Sequence, residues 1–261
     1  MAGIWITGDT HGTIDIKKLS KRNLSRFDFN GTQDDNFLII CGDFGLIWNA
    51  NGESKEETYW LDWLESKPFT TLFVSGNHEN FDRLYSDEYE IINWHGGKAQ
   101  QIRPHVIHLL RGEIYDILGK SIFTFGGASS HDIKDGVLDA VKDKQKIKEW
   151  SNPNNPEYYT KQFRINHKSW WAQEIASREE QEYALENLKK HNNKVDFIVS
   201  HCAPQEIASM MGHTTPDSMT SFFNTIAHSI QFNEWYFGHY HIDTRIFSKF
   251  YCLYNAIMQI A

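Results

Sequence analysis

The chain has 261 residues, 40% hydrophobic and 23% charged, a balance close to that of soluble globular proteins and unlike disordered or fibrous ones. Lysine plus arginine number 26 against 34 acidic residues, a net charge of -8, so the clustered basic surface that binds extended nucleic acid is not expected. No apolar run reaches the length of a membrane span, and the first residues lack the charged start and apolar stretch of a leader peptide.

One domain over residues 1–261 is the expectation, since a chain of this size can enclose one substantial core. Short apolar runs rich in β-formers predict strands at Ile4 to Thr7, Phe37 to Cys41, Thr71 to Ser75 and Val106 to Leu110. Further strands follow at Ile122 to Phe125, Phe197 to Ser200 and Trp235 to Phe237, and Thr244 to Ile260 reads as closing strands. Helical character falls at Ser54 to Ser66, with Tyr59, Trp60, Trp63 and Leu64 as its apolar stripe, and at Ser177 to His191 and Pro216 to Ser229. Ser177 and Glu180 have the spacing of a capping box. Alternation around Gly119 between Gly112 and Gly127 predicts a hairpin. Strands separated by helices indicate an α/β sandwich, with a surface insertion or lid at about residues 131–170.

Five short segments carry the chemistry: Gly8-Asp9-Thr10-His11-Gly12, Gly42-Asp43-Phe44-Gly45, Gly76-Asn77-His78-Glu79, Ser200-His201-Cys202 and Gly238-His239-Tyr240-His241. Each tends to follow an apolar run, and strand ends are where a sandwich gathers ligands from distant parts of the chain. The Asp43 carboxylate has two oxygens, so it can bridge two cations. Oxygen donors mixed with imidazoles suit Mn²⁺, Fe or Zn²⁺, with Ni²⁺ also possible, better than Ca²⁺. Two such ions support hydrolysis at phosphorus through a bridging hydroxide. With neutral His and Asn ligands they leave about two positive charges beside Asp9 and Asp43, enough to attract a small phosphate ester, a nucleotide included, despite the acidic balance.

With Asp9-Thr10-His11, Gly42-Asp43, Gly76-Asn77-His78-Glu79, His201 and Gly238-His239-Tyr240-His241, the chain resembles the calcineurin-like metallophosphoesterase superfamily, over roughly residues 3–130 and 195–245. The resemblance implies a four-layer α/β/β/α sandwich with metals at strand ends. It places one metal on Asp9, His11, Asp43 and His241 and the second on Asp43, Asn77, His201 and His239. It also implies that His78 contacts the phosphate and assists the leaving oxygen.

The chain continues Gly42-Asp43-Phe44-Gly45-Leu46 and so lacks the extra Asp and Arg of the protein-phosphatase branch. The blocks at Gly126 to Asp132 and Ser169 to Ile175 are similar to those of small bacterial and phage-encoded members. Asn77-His78 together with Gly238 to His241 is common among the superfamily's diesterases, which favours a phosphodiester over the alternatives, a phosphomonoester or a nuclease substrate. A non-catalytic interaction scaffold is disfavoured because every ligand position is filled.

Arg83, Trp171 and Glu174 are candidate substrate contacts, Arg103 and Arg164 are weaker candidates for a phosphate clamp, and Asp132 could approach the metals or hold the lid by hydrogen bonds. The remaining histidines, His131, His108 and His213 among them, read as surface or core residues. Cys41, Cys202 and Cys252 are an odd count without metal-type spacing, which suggests unbridged thiols and a cytoplasmic setting.

Overall fold

Alternation along the first strands decides how the layers stack. In β1 (Gly3–Thr7) Ile4 and Ile6 enter one core while Trp5 enters another. In β2 (Asn36–Ile40) Phe37 and Ile39 join the first core, and Leu38 and Ile40 the second. Successive side chains of a strand face opposite sides, so both faces of these strands need a cover. The computed structural model describes residues 2–261 and shows those covers as a sandwich of two sheets between helices.

One sheet combines β1 and β2 with β3 (Thr70–Phe73), β4 (Glu90–Trp94), β5 (Gly97–Arg103), β6 (Val106–Leu109) and the late strand β15 (Ile257–Gln259), in the order β15-β1-β2-β3-β6-β5-β4. The other contains β7 (Glu113–Ile117), β8 (Lys120–Phe125), β11 (Phe197–Ser200), β12 (Glu234–Phe237), β13 (Thr244–Ile246) and β14 (Phe250–Cys252), in the order β13-β14-β12-β11-β8-β7. A separate parallel pair, β9 (Val137–Leu138) and β10 (Arg164–Ile165), lies within residues 131–170.

The helices are α1 (Lys21–Leu24), α2 (Lys55–Glu65), α3 (Phe81–Leu84), α4 (Lys144–Trp150), α5 (Arg178–Lys190), α6 (Gln205–Met210) and α7 (Ser218–Ser229). Leu61 and Leu64 of α2 cover Trp5, Leu38, Ile40 and Phe73 on the outside of the first sheet. Ala184, Leu188, Ile207, Phe222, Phe223 and Ile226 of α5, α6 and α7 cover Phe123, Phe125, Ile198 and Trp235 on the outside of the second. Between the sheets Ile6, Ile39, Leu72 and Val74 meet Ile117, Ile122, Val199 and Tyr236. The α/β/β/α order thus follows from three cores, each fed by alternate strand positions.

Capping explains where the long helices begin. Ser177 accepts from the Glu180 N–H while the Glu180 carboxylate accepts from Ser177 N–H, and Ser54 with Glu57 does the same for α2. Asp217 and Thr220 cap α7, which therefore starts at Ser218 rather than at Pro216. On α2 the buried stripe is Leu61 and Leu64, whereas Tyr59 is exposed at 62%, contrary to the sequence expectation. The β7–β8 hairpin turns at Leu118 and Gly119, both with positive φ, as a two-residue loop demands. The β4–β5 hairpin and α6 were not anticipated; β4 is an edge strand whose Glu90-Ile91-Ile92-Asn93-Trp94 breaks the apolar–polar alternation of a half-buried strand, leaving Ile91 exposed.

β1, β2 and β3 run parallel, as do β8, β11, β12 and β14. Asp9, Asp43 and Asn77 lie just past the C-terminal ends of β1, β2 and β3; His201 and His239 follow β11 and β12. The two sheets therefore deliver their ligands at the same ends of their strands. Among the described residues no helix is long and apolar enough to cross a membrane.

Candidate metal centre

Asp43 lies between two imidazoles. Its Oδ2 is 3.3 Å from His11 Nε2, and its Oδ1 is 3.2 Å from His201 Nε2. Asp9, His11, Asp43 and His241 each offer a donor atom, and these atoms all fall within 4.8 Å of one another, a group that could hold a metal ion. On the other side of Asp43, Asn77 Oδ1 lies 3.2 Å from His201 Nε2, and the His239 ring packs against His201 with centroids 4.9 Å apart. Four of the seven residues named from the sequence thus form one candidate metal group, and Asn77, His201 and His239 lie beside it on the far side of Asp43.

The backbone has to bend sharply to do this. His11, Asp43, His239 and His241 all have φ between 43° and 68°, in the left-handed region that non-glycine residues seldom occupy. Gly42, itself at φ 93°, passes so close to His201 that a β-carbon there would strike the ring. A β-carbon at Gly238 would strike the Asp9 carboxylate. Asp9 in turn accepts hydrogen bonds from His239 N–H at 3.1 and 3.0 Å, tying the β1 loop to the β12 loop.

The nitrogens facing Asp43 are set by what their opposite ring atoms do. His201 Nδ1 donates to the Cys41 carbonyl at 2.8 Å, and His11 Nδ1 donates to Asp15 at 2.7 Å, so in each ring Nε2 is directed at Asp43. Partners of this kind orient metal-binding histidines and raise their basicity. Asn77 is oriented by a relay in which its amide nitrogen donates to Ser130 Oγ at 3.4 Å and Ser130 donates to Glu174 at 2.7 and 2.8 Å. Lys18 donates to the carbonyls of Gly8, Asp9 and Tyr254, bracing the loop that carries Asp9.

Charge accounts for the rest. Asp9 is pushed up to about 6 by burial, with His201 pulling it down and Asp43 pushing it up. Burial would raise Asp43 too, yet His201 and His11 hold it well below the usual carboxylate range. His201 is lifted to about 9: burial opposes protonation, but Asp43 and Asp9 overcome that. Two buried carboxylates therefore draw positive charge to this point, and the donor set of carboxylate, amide oxygen and imidazole fits divalent cations.

His78 stands at the open edge, 31% exposed, its Nε2 4.0 Å from Asp43 Oδ2. Burial lowers its pKa and Arg164 adds to that, while Asp43 works the other way. Beside it a cavity of about 380 Å³ is lined by His11, Ile14, Leu46, Trp48 and His78. A larger cavity of about 820 Å³, lined by Tyr85, Glu88, Arg111 and Tyr183, includes none of the ligand side chains.

The candidate substrate contacts are engaged elsewhere. Arg83 is 5% exposed and is held by Glu57 at 3.1 Å, Glu88 at 2.5 Å and Tyr89 at 2.7 Å, which leaves no free face for substrate. Trp171 is 1% exposed and donates to Asp82, so its ring is a core element. Glu174 is spent on Ser130, which holds the metal-ligand candidate Asn77, rather than facing substrate. Conversely, His131, grouped with the structural histidines, puts its Nε2 2.7 Å from His239 Nε2. Asp15 and Lys18 were passed over as well; the i, i+4 spacing of His11 and Asp15 was the one local signal.

A sandwich with this ligand arrangement defines a metal-dependent phosphoesterase class. The sequence profile of the calcineurin-like phosphoesterase family matches residues 2–243, and the chain belongs to that family. No curated protein matches the chain closely enough to count as a relative.

Proposed function

We propose that the chain hydrolyses a small phosphate ester, a phosphodiester in preference to a monoester, using two divalent cations with manganese favoured. Asp9, His11, Asp43 and His241 would hold one cation, and Asp43, Asn77, His201 and His239 the other. The observation that carries this reading is the Asp43 carboxylate with one oxygen toward His11 and the other toward His201. When bound, such a pair supplies Lewis acidity toward phosphoryl oxygens and activates water at neutral pH.

The protein's own groups do the positioning. Asp15 and the Cys41 carbonyl hold the two imidazoles on Asp43, and the Ser130–Glu174 relay turns Asn77 Oδ1 inward. His78 stands where a departing oxygen can take a hydrogen bond or proton. The cavity beside it suits the organic half of the ester, and the Trp48 ring, 6.0 Å from His78, offers a planar face for a nucleotide base. The acidic balance supports a small substrate over extended nucleic acid. Residues 131–170 belong, in this reading, to one domain spanning the whole chain and cap its centre. The three cysteines are free and buried, which supports a reducing, cytoplasmic setting.

The test is turnover of bis-p-nitrophenyl phosphate by protein loaded with Mn²⁺, beside p-nitrophenyl phosphate. Chelator-sensitive cleavage of the diester, restored by Mn²⁺, is expected. Cleavage of the monoester alone would overturn the diesterase half, and no cleavage of either would overturn the reading as a whole.

A further inference from the structure

Residues 131–170 start and finish against the metal centre. Asp132, next to His131, accepts from Arg164 through Nε at 2.9 and 2.8 Å and pairs with Nη2 at 2.6 Å. Three residues further out, Asp135 pairs with Lys161 at 2.9 Å and accepts from Gln162 N–H, so the two arms of the excursion are clamped twice. Arg164 lies on β10, held in register against Val137 of β9. Its Nη1 donates to the Ser169 carbonyl at 3.3 Å.

One direction of the guanidinium is left. Nη2 points at His78 Nε2, 3.4 Å away, at the open edge of the centre. A guanidinium and an imidazole make a weak pair, and both can donate hydrogen bonds. The group that suits two such donors side by side is an anionic oxygen, and Arg with its fixed fork binds phosphoryl oxygens especially well. The side chain is 14% exposed, so it is reachable while its direction is set by Asp132.

From this geometry we infer that Arg164 binds a non-bridging phosphoryl oxygen of the substrate alongside His78, with Asp132 as the positioning residue that aims it. The excursion is then a working wall of the active site. This inference rests on the phosphoesterase reading above.

The experiment uses the full chain loaded with Mn²⁺ and compares wild type with Arg164→Ala, Arg164→Lys and Asp132→Asn. Metal content, calorimetric binding of inorganic phosphate, and KM and kcat on bis-p-nitrophenyl phosphate are measured on each. Arg164→Ala should keep its metal content and weaken phosphate binding roughly 10- to 100-fold, the scale of a charge-assisted hydrogen bond. Arg164→Lys should recover part of that loss, and Asp132→Asn should raise KM several-fold with a smaller change in kcat. Phosphate binding by Arg164→Ala equal to wild type would overturn the inference. So would loss of metal by all three variants, because Arg164 would then be structural. A wild-type protein that binds metal but neither binds phosphate nor cleaves the ester would sink the phosphoesterase reading itself.

Discussion

The two sides of Asp43, proposed above to hold one cation each, differ in their access to water. On one side His241 is 52% exposed and His11 borders the open cavity. On the other, His201 is completely buried, Asn77 and His239 are 6% and 9% exposed, and His131 lies over His239. An ion in the first half would exchange and meet substrate readily, whereas one in the second would be released only after the protein opens. On the proposed two-cation reading, the contrast would separate a working face from an anchoring one.

The strongest challenge to this picture is Asp43→Asn, which touches both halves. It should abolish binding of both cations and most of the rate enhancement, roughly 10⁶-fold in kcat/KM, read by elemental analysis beside turnover. Retention of one full equivalent of metal would show that the carboxylate serves a single site. His78→Asn lies on the open side and is expected to keep both metals while losing about 10²- to 10⁴-fold in kcat. The loss should be greater for an ester with a poor leaving group than for an activated one, and equal losses would remove His78 from the departure step.

His241→Ala and His201→Ala test the contrast directly. Each should lower metal content from two equivalents to about one. Only the buried His201 should also cost the apoprotein folding stability, about 2 kcal/mol against less than about 0.5 for His241, by chemical denaturation. Similar stability losses would erase the distinction. Asp15→Asn is the mildest change: it loosens His11 and should weaken metal affinity in the open half by roughly 10- to 100-fold. In a chelator time course it should speed the release of one equivalent and leave the other unaltered.

Much of the centre was legible because every candidate ligand except His241 sits beside a glycine or at the end of an apolar run, and His241 alternates with His239; these signals are local. Asp9, Asp43 and Asn77 follow parallel strands whose apolar residues declare them. His131 and Arg164 were harder because their meaning comes from contacts with His239 and His78, far away along the chain. Arg83 misled in the opposite sense: an arginine six residues past Asn77 looks like a phosphate clamp, yet Glu57 and Glu88 claim it. The α2 stripe failed at Tyr59 since aromatic character alone does not decide which face meets the sheet.

The left-handed backbone at His11, Asp43, His239 and His241 reaches beyond geometry. Holding a side-chain-bearing residue there costs on the order of 1 kcal/mol each, a tension that surrounding contacts must restrain. A cation gripping those same side chains would lock the bends in place, so heat resistance should climb with occupancy. Loading with Mn²⁺ ought to lift the melting temperature, and stripping it ought to relax these four turns first.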